Sequence, residues 1–168
     1  SVAVIDLLTN TKVRSIAVPN SPTRALYNSA DNRLYVACYA AESIAVIDCA
    51  AESLVATIRV RTPAAMAVSK HGRVWCASDG YNSVSVINPG ANRRLITLQT
   101  GDEPTAIVAD SASGLVYTAN YAGYTLSAFK DHAIDVAAVS ANVAASYDPL
   151  DTVVPTGTWA NYSVGAVD

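Results

Sequence analysis

Short apolar runs separated by turn residues recur along most of this chain. Ala64–Val68 is followed by the turn Ser69–Gly72, and a second run covers Arg73–Ala77. Two further runs, Ser83–Ile87 and Arg94–Gln99, follow after loops that contain Gly, Asn or Pro. Runs this short, rich in β-branched residues and lacking a 3.6-residue period, predict antiparallel strands joined by short loops. We name the four strands of such a unit A, B, C and D in chain order.

The same four-strand pattern returns along the chain with a nearly constant period. Proline precedes strand A at Pro22, Pro63 and Pro104, which are 41 residues apart. Strand B reads LYVA from Leu34, VWCA from Val74 and VYTA from Val116. Strand C reads VAVID from Val2, IAVID from Ile44, VSVIN from Val84 and, more loosely, LSAFK from Leu126. A four-stranded antiparallel unit repeated every 40 residues or so predicts an all-β fold, the β-propeller, in which each repeat is one blade.

The strand B segments also carry a family resemblance. LYVACY (34–39), VWCASD (74–79) and VYTANY (116–121) resemble the YVTN-repeat family of β-propellers, and the resemblance covers residues 1 to about 130. It implies a propeller of the kind found in surface-layer proteins and in periplasmic or secreted proteins. Because propellers carry many unrelated activities, such motifs are informative about the fold and much less so about the function.

The repeats suggest a single β-propeller domain or segment over residues 1–168. The units lie at approximately 1–40, 41–80, 81–122 and 123–162. Residues 131–158 are degenerate, because Ala-rich Val136–Ser146 stands where strands D and A are expected. The register returns at Trp159–Tyr162, which aligns with strand B, and residues 163–168 then repeat the strand C motif. The chain is thus predicted to begin and to end with a strand C.

About four repeats are too few for the seven-bladed ring that the resemblance implies, which would need about 290 residues at this period. Three arrangements remain: a segment of a longer propeller, a ring completed by another copy or subunit, and a small ring closed by the strands of residues 1–18. Open blades would expose apolar faces and unpaired strand edges. We therefore expect an incomplete ring that belongs to a longer protein or is completed by oligomerisation.

Composition and charge exclude several classes of protein. Hydrophobic residues make up 51% of the chain and charged residues 15%, which excludes a disordered protein. The net charge of −3 and the lack of a basic run argue against nucleic acid as a partner. No apolar segment approaches the length of a membrane helix, so we expect no membrane insertion. The N-terminus lacks a signal-peptide pattern, and only the family resemblance favours an extracellular, surface or particle-associated location.

Turn positions follow the same period. Asp6, Asp48 and Asn88 end strand C, where an acceptor side chain can cap its own turn. Asp31, Gly72 and Gly114 fall in A–B turns. The fold accounts for both sets, and neither needs a function.

Candidate binding residues gather on one predicted face of the propeller. In an antiparallel blade the D–A and B–C loops share one face, and the A–B and C–D turns share the other. The candidates on the first face are Tyr39, Asp79, Tyr81, Asp102, Glu103, Tyr121 and Tyr124, with Tyr162 on the same rim. Tyrosine suits recognition surfaces because it combines a large rigid surface with a hydroxyl group.

The tyrosines and the carboxylates each have a second interpretation. Tyrosines at one repeat position can simply connect neighbouring blades, and this holds for Tyr39, Tyr121 and Tyr162. Tyr81 and Tyr124 lie outside that register and are better candidates for contacts with a partner. The three carboxylates could bind calcium or act as acid and base, or they could be charged loop residues in solvent. A calcium loop of the DxDxDG type is absent.

No constellation for catalysis or metal binding emerges. Cys38, Cys49 and Cys76 are an odd number without a CxxC pair, so neither a disulfide framework nor a zinc site is predicted. His71 and His132 fall in predicted turn regions and are expected to face solvent. GxSxG, HExxH, GxGxxG, P-loop and CxxCH motifs are absent. We predict no catalytic residue, no cofactor and no metal.

The sequence therefore predicts a non-catalytic propeller scaffold that binds a protein or a glycan and assembles, as a component of a surface layer or a virus-like particle would. Self-association or a protein partner is the first expectation. The alternative, also implied by the resemblance, is a segment or subunit of a periplasmic propeller enzyme of the amine dehydrogenase or lactonase type. Such an enzyme would need metal ligands at the starts of several strands A, where this chain has Arg24, Ala64 and Thr105.

Overall fold

The computed structural model describes residues 1–132 and the strand Tyr162–Gly165. The N-terminal strands β1 (Val2–Asp6) and β2 (Thr11–Ile16) pair with each other and make up what we call blade 1. Blade 2 consists of β3 (Pro22–Asn28), β4 (Arg33–Cys38), β5 (Ser43–Asp48) and β6 (Ser53–Arg59). Blade 3 consists of β7 (Pro63–Val68), β8 (Val74–Ser78), β9 (Ser83–Asn88) and β10 (Arg93–Gln99). Blade 4 consists of β11 (Pro104–Asp110), β12 (Leu115–Asn120), β13 (Thr125–Lys130) and β14 (Tyr162–Gly165).

The described sheets are antiparallel meanders, in which each strand pairs with its neighbours in the chain. In blade 3 the four strands begin and end within one residue of the apolar runs that predict them. The all-β fold of four-stranded antiparallel blades is therefore confirmed. Among the described residues, blade 1 has the C and D strands, β1 and β2.

The C-terminal strand is not where the sequence motif predicts it. Residues 163–168 were expected to form a strand C, but β14 pairs antiparallel with β13, with Thr125 opposite Gly165. It thus occupies the position of strand D in blade 4, and the prediction of a terminal strand C was wrong. A motif match depends on the pattern of side chains, whereas strand pairing depends on which strand has an unpaired edge. Here β13 has such an edge, and β14 pairs with it. The degenerate stretch and the Ala-rich segment lie outside the described residues, except for Asp131 and His132.

The cores lie between blades. The central strand β5 is buried along five of its six residues, because a neighbouring blade covers each of its faces. Blades 2 and 3 pack through a cluster that includes Tyr35, Ile44, Val46, Ile58, Val74 and Ile87. Blades 3 and 4 pack through Trp75, Val84, Val86, Leu98, Val116 and Phe129, with the rings of Trp75 and Phe129 6.0 Å apart. Blade 1 covers the other face of blade 2 through Ile16, Val36, Ala45 and Ile47.

The turns repeat as regularly as the strands. Each of the twelve connections between β1 and β13 has one residue with left-handed backbone, with φ between 34° and 72°. In the A–B turns these residues are Asn32, Gly72 and Gly114, and in the B–C loops they are Glu42, Asn82 and Tyr124. In the C–D turns they are Asn10, Glu52 and Asn92, and in the D–A loops they are Ser21, Thr62 and Glu103. Only two of the twelve are glycines, so the packing of the blades imposes a conformation that most side chains disfavour.

The side chains that end strand C cap their turns, as predicted. The backbone N–H of Leu8 donates to Oδ1 of Asp6 at 2.7 Å, and that of Ala50 donates to Oδ1 of Asp48 at 2.9 Å. Asn88 Oδ1 accepts from the N–H of Gly90 at 3.0 Å.

Candidate functional site

The D–A and B–C loops lie together on one face of the described blades, as the strand order predicts. The backbone N–H of Tyr39, in the B–C loop of blade 2, donates to the carbonyl of Ser21 in the preceding D–A loop at 2.8 Å. In blade 4 the N–H of Tyr121 donates to the carbonyl of Glu103 at the same distance of 2.8 Å. We call this face the loop face.

A shallow depression of about 560 Å³ on the loop face brings four of the seven candidate residues together. Its lining consists of Tyr39, Asp79, Gly80, Asn82, Asp102, Glu103 and Ala122. These residues come from the B–C loops of blades 2, 3 and 4 and from the D–A loop between blades 3 and 4. Three carboxylates and one phenol, from blades 2 and 3 and from the loop between blades 3 and 4, thus face a common space, which we call the rim depression.

Tyr39 links blade 2 to blade 3 across the rim depression. Its hydroxyl donates to Oδ1 of Asp79 at 3.2 Å, and the same oxygen accepts the backbone N–H of Gly80 at 2.7 Å. Partial burial, followed by the charge of Asp79, raises the pKa of Tyr39. The phenol therefore stays protonated and acts as a donor. This is the blade-connecting role that the repeat position of Tyr39 suggests.

Asn82 holds the two acidic residues of the next loop in place. Its Nδ2 donates to Oδ1 of Asp102 at 2.9 Å, and its Oδ1 accepts the backbone N–H of Glu103 at 2.8 Å. The amide nitrogen and the amide oxygen of the Asn82 side chain thus both connect blade 3 to the loop that leads into blade 4. Sequence reasoning missed Asn82, although its left-handed backbone position in the B–C loop recurs at Glu42 and Tyr124.

The other candidate tyrosines lie outside the rim depression. Tyr121 and Tyr124 are 71% and 83% exposed, on the B–C loop that also contributes Ala122 to the depression. Tyr81 is 43% exposed, and the guanidinium carbon of Arg61 lies 4.6 Å from the centre of its ring. Arg61 was also missed, because nothing in the repeat pattern singles it out. The side chain of Tyr162 lies outside the described residues.

In the part of the chain that the structure describes, the metal-ligating side chains form no metal site. Within residues 1–132, no group of three or more His, Cys, Asp or Glu side chains is placed to hold a metal ion. Cys38 and Cys76 are buried, Cys49 is half-buried, and all three are free thiols. Burial raises the pKa of Cys76 and of Cys38. The described segments include no helix long and apolar enough to cross a membrane.

Comparison with known proteins agrees with the fold. No protein-family model and no curated protein matches the sequence. Among solved structures, the Swd1 β-propeller domain of Myceliophteria thermophila superposes with a TM-score of 0.55 at 11% identity, over 70% of this chain and 37% of that one. The chain has a β-propeller fold.

Two further propeller-like structures belong to proteins with different named functions. Hydrazine synthase of Kuenenia stuttgartiensis has a TM-score of 0.57 at 18% identity, over 71% of this chain and 47% of that one. A Bacteroides fragilis protein provisionally assigned as a 6-phosphogluconolactonase has a TM-score of 0.59 at 11% identity, over 66% of this chain and 35% of that one. The chain thus spans less than half the length of these structures. At such low identity the likeness concerns the fold alone.

Proposed function

We propose that this chain is a non-catalytic propeller scaffold that binds a protein through its loop face, with self-association as the first form of that binding. A glycan is the second class of ligand. We also propose that its blades are YVTN-type repeats and that its role is structural, in a surface layer or a virus-like particle. The observation that carries it is the rim depression, where side chains from three blades meet beside two exposed tyrosines.

The loop face suits binding because its polar groups are held in place before a partner arrives. The hydrogen bonds of Tyr39 with Asp79 and of Asn82 with Asp102 orient two of the three carboxylates. A preorganised surface loses less conformational entropy when it binds, so more of the interaction energy appears as affinity. Next to this fixed part, Tyr121 and Tyr124 offer the large amphipathic area that interfaces favour.

Sedimentation equilibrium and native mass spectrometry of the whole chain over a micromolar concentration range test the proposal. We expect a concentration-dependent oligomer, and the double variant Tyr121→Ser/Tyr124→Ser should weaken association by about tenfold or more, as loss of interface aromatic residues does. Tyr27→Ser is the matched control, because Tyr27 is 54% exposed on β3 and lies away from the loop face.

A glycan array probed with the same three proteins covers the second class of ligand. Retention of a glycan by the wild-type chain and by Tyr27→Ser, but not by the double variant, would support binding through the loop face. A chain that stays monomeric and retains no glycan would contradict the proposal. Equal loss of association in the control and in the double variant would show that the loop face is not the contact.

A further inference from the structure

A second, more enclosed cavity lies between blades 2 and 3, beside the loop face. Its volume is about 190 Å³, and its lining consists of Arg61, Ser78, Tyr81, Ser83, Ser85, Arg94, Thr97 and Gln99. Across β9 and β10, Ser85 pairs with Thr97 and Ser83 pairs with Gln99. Directly paired residues project from the same face of a sheet, so these polar side chains form one patch on the face of blade 3 that meets blade 2. Ser83 and Ser85 are 5% and 2% exposed.

Positive charge accumulates in this cavity. Arg61 stacks on Tyr81, which limits the orientations of its guanidinium group. Arg94 is half-buried on β10, opposite the buried Ile87. Burial, followed by the positive charges of Arg61 and Arg59, lowers the pKa of Arg94. Arg61 and Arg94 thus place two guanidinium groups at one cavity.

The preceding blade interface shows that the fold does not require these residues. There, Pro19 has the position of Arg61, and Ala41 has that of Tyr81. Ala45 has the position of Ser85, and Leu54 has that of Arg94. The strand registers establish the equivalence of Ala45 with Ser85 and of Leu54 with Arg94. Ala45 pairs with Thr57 as Ser85 pairs with Thr97. Leu54 pairs with Ile47 as Arg94 pairs with Ile87. The interface of blades 1 and 2 thus has neither the two arginines nor the stacking tyrosine at these positions.

The following interface, between blades 3 and 4, is closed by its own side chains. Gly101 and Gly123 stand at the positions of Arg61 and Tyr81, and Asn120 stands at that of Ser78. Nδ2 of Asn120 lies 3.0 Å from both Thr125 Oγ1 and Ser127 Oγ. A methyl group on Gly101 would lie only 2.7 Å from that nitrogen, so no space is left there. Among the side chains that the structure describes, two arginines line a common cavity at the middle interface alone.

We propose that the cavity between blades 2 and 3 is a binding site for a single oxyanion group, held between the guanidinium groups of Arg61 and Arg94. The hydroxyl groups of β9 and β10 supply additional donors. Guanidinium groups match the paired oxygens of carboxylate, sulfate and phosphate with two parallel hydrogen bonds. A volume of about 190 Å³ corresponds to roughly six waters at about 30 Å³ each, which fits one such group. The site does not depend on the function proposed for the loop face.

Titration of the whole chain with sodium sulfate, inorganic phosphate and sodium acetate tests the site. Ionic strength is held constant with chloride, and heteronuclear NMR follows the backbone amides and the arginine Nε–Hε groups. We expect saturable shifts centred on Arg61, Tyr81 and Arg94. Stronger binding of acetate would identify a carboxylate ligand, and stronger binding of sulfate or phosphate would identify a tetrahedral one.

Three variants and one control make the result specific. Arg61→Gln and Arg94→Met should each weaken binding by about tenfold or more, because each removes a charged donor. Ser85→Ala should weaken it by about threefold, and it should fold normally because Ala45 occupies the same position in blade 2. Arg14→Gln removes an equal charge from an exposed pair between blade 1 and Glu52 of blade 2, and it should leave binding unchanged within about twofold.

Two results would overturn the site. One is a set of shifts that does not saturate or that spreads over all exposed arginines, which would indicate general screening of charge. The other is unchanged affinity in Ser85→Ala and in those arginine variants that retain the native circular dichroism spectrum.

Discussion

The guanidinium group of Arg73 and the carboxylate of Asp131 form a buried ion pair, with 2.6 Å between Nη1 and Oδ1. Arg73 directly precedes β8 in blade 3, and Asp131 directly follows β13 in blade 4. Arg33 has the same position in blade 2 and donates to the carbonyl of Pro89 in blade 3 at 2.9 Å. On the face opposite the loop face, Arg33 thus connects blade 2 to blade 3, and Arg73 connects blade 3 to blade 4.

Removing one partner of the buried pair should destabilise the protein strongly. The side chains of Arg73 and Asp131 are 11% and 0% exposed, so Asp131→Ala leaves a guanidinium group without its main partner in a site with little water. We expect the free energy of unfolding to fall by about 3 to 5 kcal/mol, measured by urea denaturation. Arg14→Ala is the control, because its pair with Glu52 is exposed, and it should cost less than about 1 kcal/mol. Equal losses in the two variants would contradict the buried role of Asp131.

The closed interface between blades 3 and 4 should not tolerate a methyl group at Gly101. In Gly101→Ala the new Cβ would collide with Asn120, whose Nδ2 bonds both Thr125 and Ser127. We expect a loss of about 1 to 3 kcal/mol in thermal or urea unfolding, as overpacking usually causes. In the C–D turn of blade 3, Gly90→Ala meets only the side chain of Asn88 at 3.5 Å and should cost less than about 1 kcal/mol. A neutral Gly101→Ala variant would show that the Asn120 network can rearrange.

Phe129 should carry much of the packing between blades 3 and 4. It is 4% exposed and contacts Trp75, whereas Val108 on β11 is 60% exposed. We expect Phe129→Ala to reduce the free energy of unfolding by about 3 to 5 kcal/mol through the cavity that it leaves. Val108→Ala should cost less than about 1 kcal/mol. A large loss for Val108→Ala would instead reveal that this side of blade 4 is covered in solution.

Thiol reactivity should distinguish Cys49 from the two buried cysteines. Burial, followed by the carboxylate of Asp48, raises the pKa of Cys49, and only the thiolate reacts with a disulfide reagent. The thiolate fraction of Cys49 grows as the pH rises through this raised pKa. The reaction rate should therefore increase from pH 7 to pH 9 and continue to increase above the pKa of an ordinary thiol.

In the folded protein we expect one reactive thiol, Cys49, to be counted with a chromogenic disulfide reagent. Cys38 and Cys76 should react only after urea unfolding, because both are fully buried. Cys49→Ser should abolish the early phase and leave the late phase intact. Early reaction of two or three thiols would contradict the burial of Cys38 and Cys76.

Strand spacing and turn chemistry could be predicted from the sequence because both are local. The run Ser83–Ile87 predicts β9, and the acceptors Asp6, Asp48 and Asn88 predict their own turn caps. The loop face could also be predicted, since strand order alone decides which loops meet. The placement of residues 163–168 failed because a motif match does not reveal which strand edge is open.

Local periodicity thus determined the fold of this protein and the face of the blades on which its candidate loop residues lie. Only the tertiary structure decided which of them meet. Tyr39 and Asp79 are 40 residues apart and Asn82 and Asp102 are 20 apart, yet each pair forms a hydrogen bond. Arg61 and Arg94 line one cavity although no motif relates them. Such contacts depend on how two blades pack face to face, and packing is set by the sum of many side chains on both faces, which no single repeat contains.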